Sequence, residues 1–384
     1  MRLPDRIWVP GLAGLLLALV FVGALLVRSD GDPSRLVHAG PPWTSAEAAR
    51  GSLTVQEADQ AFDGQFFYRL GVSPWSTEDE VAGVRNDLPS LRNARWGYGA
   101  LAWVVSAGDP DLVPWALIAI NVGAAFAVGA IGGGLARTAD RHALWGALFV
   151  LWPGFAYSLS LDTSELAASA LLLGGLLALR HRHWVVTAGL LTAAVITRDT
   201  TTVVPFAVAL AGLWATERDD RPKQVAAGAV PLVAFATWQL VQRSRFGSLP
   251  LTSSGDNNLS APLAGFVEQL GKVIIPSSSA EALRLVSMVG LIALLGAAAW
   301  SVARAKAVAP TAEQLAWLGS VAVVVLLNAY LWSGATAFLR ASTEAGLLSI
   351  LLVIQFAVVR LRGFVAAGLG ALWAGTALAQ LTKL

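Results

Sequence analysis

The chain has 384 residues, of which 55% are hydrophobic and 14% charged, with a formal net charge of +2 and a pI near 9.1. A soluble domain carries roughly 25% charged residues, so this chain has too little polar surface to cover itself in water, and a soluble enzyme is excluded. The small net charge gives no footing for nucleic acid, and the absence of cysteine removes disulfides, thiolate chemistry and cysteine zinc sites together.

A membrane-crossing helix needs about 20 predominantly apolar residues. Residues 8–27 (WVPGLAGLLLALVFVGALLV) meet that length behind Arg2 and Arg6. The run exceeds a signal-peptide core and has no small-residue cleavage site, so a retained anchor is expected. A polar stretch follows over 28–97, with Trp43, Trp75 and Trp96 along it. Apolar runs then recur at 112–136, 143–160, 164–179, 184–197, 200–215 and 225–241, and after a second polar stretch at 284–303, 314–332, 341–359 and 363–380. The expected fold is all-α, a polytopic membrane bundle of about 10–12 transmembrane helices with a long first external loop carrying surface helices. It forms one transmembrane domain over 1–384. Within it lie a first transmembrane helix (8–27), a first external loop (28–97), a helix module (98–241), a second external loop (242–283) and C-terminal helices (284–384). The glycine run GAIGGGLA at 129–136 suits close helix packing rather than phosphate binding.

Orientation follows from the positive-inside rule, counted over short loops. With an inside N-terminus, the inside segments carry Arg2 and Arg6, then Arg137 and Arg141, Arg180 and Arg182, Arg218, Arg221 and Lys223, Arg304 and Lys306, and finally Arg360 and Arg362. The short outside connections carry only Arg198. Both long loops are therefore expected outside. Most of the fifteen Trp read as interfacial anchors.

Chemistry is expected on the outside face. In AFDGQFFYRLGVSP (61–74), Asp63 sits among Phe62, Phe66, Phe67 and Tyr68. The spacing predicts a short surface helix over 61–71 whose aromatics enter the lipid boundary while Asp63, Gln65 and Arg69 face elsewhere. Arg198 and Arg340 fall at outer helix ends, where an ionisable residue is a functional candidate. Asp199 follows Arg198, and Glu344 stands four residues after Arg340, on the same face of one helix. Asp162 and Glu165 in LDTSELAAS read first as a capping box, and second as an auxiliary acid or metal contact. Arg69, Arg92 and Arg95 suit either a donor phosphate or anionic headgroups. His142, His181 and His183 lie among inside arginines and show no zinc spacing.

The segments FDGQFFYRLGVSP and RWGYGALAWVVSAGDPDLVPWAL, followed by TRDTTTVVPFAVAL (197–210), together resemble bacterial polytopic membrane glycosyltransferases of the type C superfamily. GYGALAW at 97–103 departs from that family's Tyr-Pro-Leu. The resemblance covers roughly the N-terminal 210 residues. It implies transfer of a sugar from a polyprenyl-phosphate donor to an acceptor hydroxyl on the outer face of a bacterial cytoplasmic membrane, with Asp63 as the catalytic base. Gln65, Tyr68, Arg69, Arg95, Arg198, Asp199 and Arg340 would contact substrate. The implied partners are the lipid-linked sugar, membrane lipid and a glycan or lipid acceptor. No cofactor is indicated, and a divalent metal is neither required nor excluded. The competing reading is a lipid or solute transporter or flippase of the same membrane. It would call for inverted repeats and helices broken near the midplane, and the sequence shows no internal symmetry.

Overall fold

The computed structural model describes residues 5–382 apart from 50, 59, 216, 254–257 and 306–308. Arg2 and Lys306 of the inside-charge pattern fall outside the described residues. The regular structure of the described residues is helical apart from one two-stranded ribbon that pairs Glu80–Val81 with Val84–Arg85.

Helix α1 (Trp8–Arg28) is followed by the first polar stretch, which folds into α2 (Gly64–Val72), the ribbon, α3 (Pro89–Ala94) and α4 (Trp96–Ser106). A turn through Ala107 and Gly108, both left-handed, leads into α5 (Val113–Arg137). The glycine run lies on α5 and does pack closely: a Cβ on Gly129 would collide with the carbonyl of Pro10 in α1, and one on Gly132 with Phe149. The segment 143–160 is broken. Pro153 has no N–H to continue a helix, so α6 (Ala147–Val150) and α7 (Gly154–Ser160) meet at 62°. Among helices α8 (Glu165–Arg180), α9 (Trp184–Thr197), α10 (Val203–Gly212) and α11 (Arg221–Phe246), α9 packs between α8 and α11, and α10 packs on α11. The second polar stretch carries α12 (Pro250–Ser253) and α13 (Ala264–Val273).

Helix α14 (Ser279–Arg304) starts on Ser278, whose side chain accepts from Glu281 N–H, and α15 (Ala312–Leu326) starts on a capping box of Thr311 and Gln314. After α16 (Ala329–Trp332), helices α17 (Ala335–Ala341) and α18 (Thr343–Phe356) meet at 60°, and α19 (Val359–Leu381) closes the chain.

Five helices, α1, α5, α11, α14 and α19, are long and apolar enough to cross a membrane, or seven if each bent pair counts as one span. The expected 10–12 is therefore not reached among the described residues. Hydropathy counts apolar runs, some of which fold as helices too short to pass that test. At 1.5 Å per residue, the 14 residues of α9 cover about 21 Å, short of the roughly 30 Å hydrocarbon core. Helices α10 and α15 are likewise short.

The two ends of the bundle are chemically distinct. At one end Asp5 accepts from Ala143 N–H, Arg141 donates to the Gln355 carbonyl, Arg180 bonds Glu313 and Gln355, and Arg182 pairs with Glu217. At the other end the two long polar stretches touch: the Ser90 and Ser248 hydroxyls are 2.8 Å apart, and Arg245 donates to the Trp75 carbonyl. Both stretches therefore share one end, opposite the arginine-rich connections.

The first stretch is packed down onto the bundle, and this corrects the expected surface helix. Helix α2 exists, but Phe66, Phe67, Tyr68 and Leu70 are all buried in protein rather than facing lipid. Phe67 meets Tyr98 of α4 edge to face at 5.2 Å. With α4 and α5 on it, the apolar surface of α2 is used internally.

Candidate functional site

Asp63 is the N-cap residue of α2, yet its side chain makes no capping bond. Its carboxylate faces two guanidinium groups instead. Arg92 of α3 donates to Oδ1 at 2.7 Å, and Arg340 of α17 donates to Oδ2 at 3.1 Å. The aromatic run supports the same two arginines: Arg92 lies 4.0 Å from the Phe66 ring centre and Arg340 4.8 Å from that of Phe62, a cation–π geometry. Arg92 is held from behind by a two-pronged pair with Asp87, both contacts 2.7 Å. The side chain of Asp63 keeps 25% of its surface exposed, so the cluster opens outward at this point. Burial alone would raise the Asp63 carboxyl, but the Arg92, Arg340 and Arg95 guanidiniums outweigh it and hold it well below the usual carboxylate range. Arg92 is pushed the other way: burial favours its neutral form, and Asp63 and Asp87 more than reverse that.

The glycine after Asp63 has a definite task. A Cβ on Gly64 would collide with the carbonyls of Val37 and Leu161, so the start of α2 is wedged between two backbone segments that no other residue allows. Gly64→Ala is expected to push Asp63 off its arginines, destabilising the fold by about 1–3 kcal/mol, the usual cost of overpacking. The melting temperature of the purified protein checks this, with Gly247→Ala, at a glycine free of neighbouring atoms but left-handed, as a purely conformational comparison.

Behind Asp63 the charges continue inward. Glu165, at the first turn of α8 and fully buried, receives Arg340 at 2.8 Å and Arg198 at 2.6 Å on the same oxygen. Its other oxygen takes the hydroxyls of Ser158 and Thr163. Arg198 also donates to Glu344 at 3.0 Å and to the Arg340 carbonyl at 2.7 Å. That carbonyl is at the C-terminal end of α17, where the Thr343 hydroxyl also donates to it at 2.8 Å, so the break in the helix and the charge cluster are one construction. Arg340 and Glu344 accordingly lie on two helices rather than on one face of a continuous helix. Beside them Arg95 stands 3.4 Å from Asp199.

The sequence candidates thus divide. Asp63, Arg340, Arg198 and, alongside, Arg95 and Asp199 come together. Gln65, Tyr68 and Arg69 are placed elsewhere on α2. Gln65 accepts from the Thr44 hydroxyl at 2.7 Å and from Gly40 N–H at 3.3 Å, Tyr68 is fully buried, and Arg69 donates to the Glu78 carbonyl. The bonds of Gln65 and Arg69 thus stay within the first polar stretch. Glu165 corrects the capping-box reading, since Ser164 is the N-cap residue and makes no side-chain cap bond. Asp162 has both oxygens buried without a hydrogen-bond partner. Asp87 and Arg92 were not singled out as a pair by the sequence; an acid five residues before an arginine in a loop carries no periodic signal.

Trp75, Trp96 and Trp238 form a cluster next to Arg95, with ring centres 4.7–6.4 Å apart. Among the described residues no group of three His, Asp or Glu converges as a metal would require. Comparison with family profiles, curated proteins and solved structures finds no match to this chain.

Proposed function

We propose that the protein is a membrane glycosyltransferase that moves a sugar from a polyprenyl-phosphate donor to an acceptor hydroxyl, working at the outer face of a bacterial cytoplasmic membrane, with Asp63 as general base. The observation that carries this reading is a partly open carboxylate held between two arginines, Arg92 and Arg340, at the end of the bundle that bears both long polar stretches. The sequence resemblance places the catalytic acid at the same residue.

The chemistry asks for two things. The acceptor hydroxyl must lose its proton as its oxygen attacks the anomeric carbon, and the phosphate that departs when the carbon–oxygen bond breaks must have its charge met. Arginine meets phosphate oxygens with a planar fork of donors. Asp63, Asp87, Glu165, Glu344 and Asp199 are five acids facing the four arginines Arg92, Arg95, Arg198 and Arg340, so the resting cluster has no spare positive charge. An entering phosphate competes with Asp63 for Arg92 and Arg340. A carboxylate released from two guanidiniums is a better proton acceptor than one held by them. Donor binding would thus itself prepare the base.

Binding of a polyprenyl phosphate to the purified protein, followed by its melting temperature, tests the arginine role. Stabilisation is expected, with affinity about tenfold weaker in Arg92→Gln, the scale of one lost charge-assisted contact. Equal affinity in both proteins would remove Arg92 from the phosphate site.

A transporter is the second reading, and one observation favours it. The two bent helix pairs meet at their breaks, where Trp152 donates to the Thr343 hydroxyl at 3.2 Å, and broken helices are a transporter device. Against it, most of the buried charges gather toward Asp63 and the polar stretches, and the others, Glu313 and Arg362, sit at the opposite end.

A further inference from the structure

The opposite end carries a second feature that sugar transfer does not use. Between α14 and α19 runs a groove of about 460 Å³ lined by Ala293, Ala297, Trp300, Leu361 and Phe364, with Arg360 at its margin. Its walls are strongly exposed apolar groups: Phe364 is 75% and Trp300 57% exposed. Arg304 lies over the Trp300 ring at 4.2 Å, so two arginines stand at the same end of an apolar trough.

These cations lack a carboxylate partner, although Arg304 stands in the last turn of α14, where the helix dipole favours it. None of Arg304, Arg360 and Arg362 enters an ion pair among the described residues. Arg362 is 8% exposed, stacks on Trp145 at 5.0 Å and leaves its buried Nε without a partner. Arg360 and Arg362 also occupy the first turn of α19, which has no acidic residue and no side-chain cap. The helix dipole is positive there, so an arginine pair at that position is unfavourable until an anion joins it.

We infer that this groove binds an anionic phospholipid, its phosphate between Arg304 and Arg360 at the start of α19 and an acyl chain along Trp300, Leu361 and Phe364. Charge complementarity selects the headgroup, and the exposed apolar walls select a chain rather than a free ion. The inference rests on the chain spanning a membrane and is independent of the glycosyltransferase reading. Arginines placed inside by the positive-inside rule put this lipid in the inner leaflet, where anionic headgroups attract such residues.

The test is lipid retention by the purified full chain in detergent, read by native mass spectrometry with phosphatidylglycerol and phosphatidylcholine added separately. Phosphatidylglycerol is expected to bind at least about tenfold more tightly, on the scale of two arginines at a lipid surface. In the double variant Arg304→Gln, Arg360→Gln that preference should fall to about twofold or less. Both side chains are exposed, so the variant should keep the wild-type melting temperature in lipid-free detergent. Millimolar inorganic phosphate should leave the lipid bound. Equal binding of the two lipids, an undiminished preference in the double variant, or displacement by inorganic phosphate would each overturn the assignment.

Discussion

Asp63→Asn is expected to lower the rate of sugar transfer by about 10²–10⁴-fold, the typical contribution of a general base, equivalent to roughly 3–5 kcal/mol of barrier. Asparagine keeps the volume, and its one amide oxygen can still accept from Arg92 or Arg340, but it cannot take a proton from the acceptor. The natural control is not Asp87, because its two-pronged pair with Arg92 makes it part of the cluster. Asp79 is a better one, an exposed acid in the same polar stretch, and Asp79→Asn should transfer at the wild-type rate. Initial rates of the three purified proteins at saturating donor check this, with melting temperatures alongside to separate lost chemistry from lost fold. An Asp63→Asn protein as fast as wild type would move the base elsewhere.

Glu165→Ala is expected to cost about 3 kcal/mol of stability, the lower part of the range for removing one partner of a buried ion pair. The carboxylate has no exposed surface and is shared by Arg198 and Arg340. Its loss leaves two guanidiniums facing each other in a closed site. Arg198 keeps Glu344, and Arg340 keeps Asp63, which holds the effect at that lower end. Unfolding in detergent measures it. A second consequence separates this residue from ordinary packing: with Arg340 released from Glu165, its remaining carboxylate is Asp63. A polyprenyl phosphate should therefore bind Glu165→Ala differently from wild type, whereas a packing variant such as Leu166→Ala should alter stability alone.

Much of this was legible in the residues, and the omissions have physical reasons. The helical class and the pairing of both polar stretches at one end followed from apolar run length and arginine alternation. Asp63 stood out through its glycine and aromatic neighbours, although those aromatics turned out to stack on arginines and pack against α4 instead of entering lipid. Arg340 stands out by depth along the chain alone, and Arg198 by depth and by the TRDTTTVVPFAVAL segment that contains it. Glu165 reads first as a cap because its spacing to Asp162 imitates one, while its charged partners lie 33 and 175 positions away. The bend at 342 was invisible for a different reason. No proline marks it, and the Arg340 carbonyl at its edge is met by the Thr343 hydroxyl and, from far along the chain, by Arg198. The difference in the number of spans has another origin: α9, α10 and α15 are apolar but short, and hydropathy does not separate them from longer helices.

The central claim is tested most directly by reconstituting the wild-type chain in liposomes and following a labelled sugar from a polyprenyl-phosphate donor, with the same sugar on a soluble nucleotide as comparison. The account expects transfer from the lipid-linked donor to an acceptor hydroxyl and none from the nucleotide. No transfer from any polyprenyl-phosphate sugar, together with movement of intact lipid or solute across the liposome membrane, would contradict it and favour a transporter.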